Sequence, residues 1–106
     1  MDTRTQIFRS LSDPTRRALF ERLCREGDLT VGRLVEGSGV SQPAVSKHLA
    51  VLRRANLVCA RQEGRNTHFK ANPQALDQLT DWVGKMSAFW DERLDRLEDL
   101  LTRMDQ

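Results

Sequence analysis

The run Gly37-Ser38-Gly39-Val40-Ser41-Gln42-Pro43-Ala44-Val45-Ser46-Lys47-His48-Leu49-Ala50-Val51-Leu52 stops one helix and starts another within a few residues. Gly37-Ser38-Gly39 breaks the preceding periodicity, and Ser41 supplies a hydroxyl that can accept a free N–H of a new first turn. Pro43 falls inside that turn, where a missing N–H is tolerated. Val40, just before the cap, can pack on Val45 as a hydrophobic staple. Val45, Leu49 and Leu52 then form a buried stripe with His48 beside it. Upstream, Thr30 caps a short helix in which Val31, Leu34 and Val35 are apolar at helical spacing. A short helix, a sharp glycine turn and a capped helix make a helix-turn-helix over residues 30–55.

The flanking sequence completes the architecture. An opening helix is expected from Thr3 to Leu11, with Ile7, Phe8 and Leu11 on one side. Asp13-Pro14 starts the next, since Asp13 can cap and Pro14 loses nothing at the first helical position. That helix runs to about Glu26, burying Leu19, Phe20 and Leu23, and Gly27 is expected to give a left-handed stop. Beyond Asn56 the periodicity changes to short, partly alternating segments, Leu57 to Glu63 and Thr67 to Ala71. Gly64-Arg65-Asn66 between them reads as a hairpin turn, in which Gly64 and Asn66 both tolerate positive φ.

Pro73 opens the last helix, which reaches about Met104. Its apolar residues Leu76, Leu79, Val83, Met86, Trp90, Leu94, Leu97, Leu101 and Met104 are separated by steps of three or four, close to a coiled-coil seam. Trp82, Phe89 and Leu100 widen the stripe beyond what one small domain needs, so it is expected to bury against a second chain. The fold class is mainly α with a small β-hairpin wing, in the order α-α-α-α-β-β-α. One domain is expected over residues 1–106: a helix at 1–11, the helix-turn-helix at 30–55, the wing at 57–71 and a dimerisation helix at 73–104.

Composition narrows the functional class. The 106 residues are 39% hydrophobic and 30% charged, the balance of a soluble globular protein. The opening Met1-Asp2-Thr3-Arg4-Thr5-Gln6-Ile7 lacks the apolar run of a secretory signal, and no stretch approaches the roughly 20 apolar residues of a membrane span. Cys24 and Cys59 are too few for a disulfide scaffold, which suits a reducing, cytoplasmic setting. The net charge of +2 is unevenly spread. Residues 31–72 carry seven Lys or Arg against Glu36 and Glu63, whereas residues 73–106 carry four basic against eight acidic side chains. A polyanion would seat on the middle third.

A helical wheel with Val45, Leu49 and Leu52 inward turns Pro43, Ser46, Lys47, Ala50 and Arg54 outward, with Gln42 at the leading edge. Small and hydrogen-bonding side chains there allow close approach to base edges. Gln42 can read adenine bidentately, and Ser46 can bond a base or a phosphate. Lys47, Arg53 and Arg54 suit phosphate contacts. Arg61 and Arg65 lie on or near the hairpin tip, where an arginine can enter a narrow minor groove. Ser41, Gln42, Pro43, Ser46, Lys47, Arg53, Arg54, Arg61, Arg65 and Asn66 are therefore the expected contacts to double-stranded DNA. Ile7, Phe8, Leu79, Val83, Met86, Trp90, Leu94, Leu97 and Leu101 are the expected homodimer interface.

Three motifs in order, Leu11-Ser12-Asp13-Pro14-Thr15-Arg16-Arg17, Ser41-Gln42-Pro43-Ala44-Val45-Ser46-Lys47-His48-Leu49 and Arg61-Gln62-Glu63-Gly64-Arg65, resemble the ArsR family of winged-helix repressors. The resemblance spans residues 1 to about 83. It implies a homodimer held by the first and last helices, with paired recognition helices on a palindromic operator. It also implies that Gln42, Ser46 and Lys47 face the major groove and that Arg65 tips the wing. The chain departs from the family's metal sensors. Where those carry paired cysteines, this one reads Asp28-Leu29-Thr30-Val31-Gly32-Arg33-Leu34, and its last helix holds no histidine. His48 and His68 do not make up a soft-metal ligand set, so no metal or cofactor is implied. The residues identify no small-molecule effector.

Alternatives remain open at this level. Free cysteines are usually small buried hydrophobes. Exposed and beside Arg22, Arg25 or Arg61, Cys24 or Cys59 would instead serve a thiol-redox-responsive repressor. The aromatic cluster Trp82, Phe89 and Trp90 with Met86 reads as a dimer core before it reads as a ligand pocket. An enzyme is disfavoured, because neither histidine has a recognisable catalytic partner and no glycine loop cradles a phosphate. A winged-helix protein-interaction module would more often carry an apolar or acidic outward face than the basic one found here.

Overall fold

A computed structural model describes residues 2–105. The elements run α1 (Thr3–Ser12), α2 (Pro14–Glu26), β1 (Leu29–Thr30), α3 (Val31–Val35), α4 (Gln42–Arg54), β2 (Val58–Glu63), β3 (Asn66–Ala71), a 3-10 turn (Pro73–Leu76) and α5 (Asp77–Met104). The chain divides into two compact units, with the boundary between Leu76 and Asp77.

In the first unit, carboxylate caps and arginines join the opening helices. Asp2 accepts from the Thr5 N–H at 2.7 Å, and Asp13 accepts from the Arg16 N–H at 2.9 Å. Hydrogen bonding to those N–H groups holds both carboxyls below their ordinary value. Arg16 Nε donates to the Ser10 carbonyl at 2.9 Å and Nη2 to that of Arg9 at 3.2 Å, while Arg17 Nη1 donates to Leu11 O at 2.8 Å. The carbonyls left open at the end of α1 are thus closed from the first turn of α2. Within Leu11-Ser12-Asp13-Pro14-Thr15-Arg16-Arg17, the cap, the helix-starting proline and the two carbonyl-binding arginines are one joint between α1 and α2.

Ile7, Leu19, Phe20, Leu23, Leu34, Val45, Leu49, Leu52, Leu57, Val58 and Phe69 form the core. Ile7 corrects an expectation: it is 0% exposed within the single chain, so it packs at home and is not available to a partner. Its neighbour Phe8, 44% exposed, keeps an outward aspect. The stop after α2 also differs in detail. Gly27 takes φ 87° and ψ −148°, a positive-φ conformation open to glycine but not the left-handed helical one.

The wing belongs to a three-stranded antiparallel sheet in the order β1-β3-β2, not to an isolated hairpin. Leu29 and Thr30 pair with Phe69 and His68, a strand too short to register in the sequence pattern. Thr30 nevertheless caps α3 as expected, accepting from the Arg33 N–H at 3.2 Å. The end of α4 is a Schellman motif: Leu57 N–H donates to Leu52 O and Asn56 N–H to Arg53 O, each at 3.0 Å. Asn56 is the one non-glycine residue with positive φ among those described. Asn72 fastens this end to the sheet, its Nδ2 donating to Asn56 O at 2.9 Å.

In the second unit, α5 has 28 residues and, at 1.5 Å per residue, is about 42 Å long. Pro73 opens a 3-10 turn rather than the α-helix itself, which begins at Asp77. None of its residues is buried within the single chain. Val83, Phe89, Trp90, Leu94, Leu97, Leu100, Leu101 and Met104 stand exposed, while Leu79 and Met86 are half-buried.

Candidate nucleic-acid interface

Helix α4 is built to present its first turns. Ser38 holds the approach: its Oγ donates to Val35 O at 2.8 Å and accepts from the Val40 N–H at 3.2 Å. Gly37 and Gly39 take the positive φ values of 78° and 76° that the reversal needs. The Ser41 side chain then accepts from the Ala44 N–H at 3.4 Å, so its hydroxyl is engaged as a cap while the residue stays exposed. Val45, Leu49 and Leu52 are 0% exposed, which anchors one side of the helix. Gln42, Pro43, Ser46, Lys47, Ala50, Arg53 and Arg54 are exposed on the other. The ion pairs among the described residues lie elsewhere, leaving Lys47, Arg53 and Arg54 without a carboxylate. Arg53 and Arg54 also sit in the last turn, where positive charge opposes the helix dipole.

A two-residue turn, Gly64-Arg65, joins β2 to β3, closed by the Glu63–Asn66 pair. Only its first position has positive φ, 62° at Gly64, the pattern of a type II′ turn. Asn66 opens β3 and does not use the positive φ that it tolerates. Gln62 braces the tip: Nε2 donates to Gly64 O at 3.2 Å, and its Oε1 accepts from Thr67 Oγ1 at 2.8 Å. Arg65 stands exposed on this braced turn without an ion pair among the described residues.

Arg61 lies farther from the tip, within β2 and opposite His68. Its Nη2 reaches Asp28 Oδ2 at 3.0 Å and its Nη1 reaches Glu63 Oε2 at 3.3 Å. His68 Nδ1 lies 3.2 Å from the other oxygen of Asp28. This network ties β2 and β3 to the segment leading into β1. The sequence offered no sign of it, because Asp28 is 33 positions from Arg61. Arg22 plays a similar part on α2, where Nη1 donates to Glu36 O at 2.6 Å and closes the end of α3.

Both cysteines are exposed, which corrects the expectation of buried thiols. Cys24 lies at the edge of the buried face of α2, one turn beyond Phe20, and Cys59 alternates outward from buried Val58. Partial desolvation, aided by Glu21, pushes the Cys24 thiol above its ordinary 9.0, with Arg25 only opposing in part. This surface does not activate that thiol. No group of three or more His, Cys, Asp or Glu side chains poised for a metal ion occurs among the described residues.

A capped helix with a basic, amide-bearing outer face beside a braced arginine turn is a winged helix-turn-helix reader. Residues 13–59 match the profile described as bacterial regulatory protein, arsR family. The chain is 42% identical over 90 residues to the HTH-type transcriptional regulator Rv2034 of Mycobacterium tuberculosis, covering 84% of this chain and 79% of that protein. The chain belongs to the ArsR family. Another relative, transcriptional repressor SdpR of Bacillus subtilis, is 31% identical over 77 residues, covering 73% of this chain and 84% of its own length. Among solved structures, an ArsR-like transcriptional regulator from Rhodococcus sp. RHA1 superposes with a TM-score of 0.76 at 29% identity, covering 91% of this chain and 90% of that one. This ArsR-family protein is accordingly a DNA-binding transcriptional regulator, and its relatives are regulators rather than enzymes.

Proposed function

We propose that this protein is a cytoplasmic homodimeric repressor, residues 1–106 acting as one functional module on a palindromic operator. The outer face of α4 carries the reading. Gln42 and Ser46 address base edges in the major groove, Pro43 allows close approach, and Lys47, Arg53 and Arg54 fix the register through phosphates. Ser41 adds its position at the helix start, where free N–H groups favour an anion. Arg65 enters the minor groove from the wing with Asn66 beside it. Arg61 contributes less, because two carboxylates already neutralise it.

The homodimer is supported by the exposed apolar stripe of α5, with Trp90 64% and Leu94 56% exposed in the single chain. A contiguous apolar surface of this kind marks an interaction face, and a second copy of the same near-heptad helix fits it. Leu79, Val83, Met86, Leu97 and Leu101 continue the interface along α5, and Phe8 supplies its part on α1. The signal that releases the repressor from DNA is not a metal bound at the family's usual sites, since the segment at 28–34 has no thiol and α5 no histidine.

Selection of bound duplexes from a random-sequence pool tests the reading. The expected result is an inverted repeat with half-site centres about one helical turn apart. Weak, salt-sensitive retention with no enriched sequence would refute it and favour a protein-interaction module.

A further inference from the structure

Arg54 lines two clefts of the first unit. One, of about 500 Å³, opens between α4 and β3, where Ser46, Ala50 and Arg53 also line it, on the face assigned to DNA. The other, of about 270 Å³, lies between α1, α2 and α4. Arg9 and Arg16 join Arg54 around this second cleft, with Gln6 and the buried Ser10 as further polar residues and Val51 and Ala55 as apolar ones.

Among the described residues no carboxylate lines it. Arg16 is fixed there by its bonds to the Ser10 and Arg9 carbonyls, whereas Arg9 and Arg54 have no ion pair among the described residues. Three arginine side chains therefore border one small cleft, and an anion seated there is drawn by their positive charge. The planar guanidinium fork suits carboxylate and phosphate oxygens in particular. The volume falls just below the roughly 300–1,000 Å³ of drug-sized pockets, which suits a small anion.

We propose that this cleft binds a small phosphate- or carboxylate-bearing anion as an effector, and that its occupation weakens DNA binding. The link is Arg54: a guanidinium turned to an anion in the α1–α2–α4 cleft is withdrawn from a DNA phosphate on the other side. The regulatory half of the proposal rests on the DNA-binding reading above, and the anion site itself does not.

Inorganic phosphate is the probe, titrated calorimetrically into the full chain against chloride at equal ionic strength, and then into the chain bound to its selected duplex. Wild type takes up phosphate, and saturating phosphate raises the DNA dissociation constant about tenfold, the worth of one charge-assisted contact. Arg9→Gln, altering an exposed side chain outside the DNA face, abolishes phosphate uptake and the phosphate effect, yet leaves phosphate-free DNA affinity within about twofold. Arg9→Lys, which keeps the charge without the fork, restores part of both. Equal phosphate uptake by wild type and Arg9→Gln overturns the site. Absence of uptake, with Arg9→Gln weakening DNA binding in phosphate-free buffer, also overturns it and makes the cleft a seat for the DNA backbone itself. Failure of any duplex to bind refutes the DNA reading, while the titration on the free chain still decides the anion site.

Discussion

Arg61 and Arg65 stand four positions apart on the wing in different surroundings. Arg61 is held by Asp28 and Glu63, whereas Arg65 faces solvent on a turn braced by Gln62. Arg65→Ala is therefore expected to weaken DNA binding and lower the salt slope by about one contact, with Arg61→Ala having a smaller effect on that slope. Gln42→Ala is expected to cost roughly 1–3 kcal/mol at one cognate base pair and to relax preference there, leaving the salt slope unchanged. Anisotropy titrations over a salt series separate the two kinds of residue. Asp13 gives a prediction about stability. Its hydrogen bond from the Arg16 N–H lowers the folded-state pKa below 3.8, so its stabilisation is present above the unfolded value and is lost as pH falls through the folded one. Asp13→Asn should keep the cap and remove that site's acid dependence, while Asp13→Ala should lower the neutral-pH melting temperature.

At the scale of elements, the pattern of caps and breakers was legible where single residues carry it. Ser41, Thr30, Asp13 and the glycines around Ser38 each act locally, and each appears at the position where its chemistry places it. What escaped depends on partners far along the chain. Leu29–Thr30 becomes a strand only because β3 arrives beside it, and Arg22, Arg16 and Arg17 close helices other than their own. Ile7 was misassigned for the same reason: periodicity marks it as apolar but does not say which surface covers it. Helix α5 is the converse case, since its stripe was legible and none of its residues is fully buried in the single chain. Leu94→Asp places a charge in the middle of that stripe, and a desolvated unpaired charge is costly. The expected outcome in sedimentation analysis is a monomer that retains its helical circular dichroism; an intact dimer would remove α5 from the interface.

For the whole molecule, the division of charge follows the division of labour. The basic middle third carries the recognition helix and wing, and the acidic last third carries the apolar stripe, so DNA is attracted to one and repelled from the other. A reader with one recognition helix per chain gains affinity on an inverted repeat only when two copies are linked, because the second half-site then binds at a high effective concentration. The mass of the complex formed on the selected operator, measured beside that on a single half-site duplex, tests this most directly. The account predicts two chains on the inverted repeat and far weaker binding to the single half-site. One chain per duplex, with equal affinity for both DNAs, would contradict it.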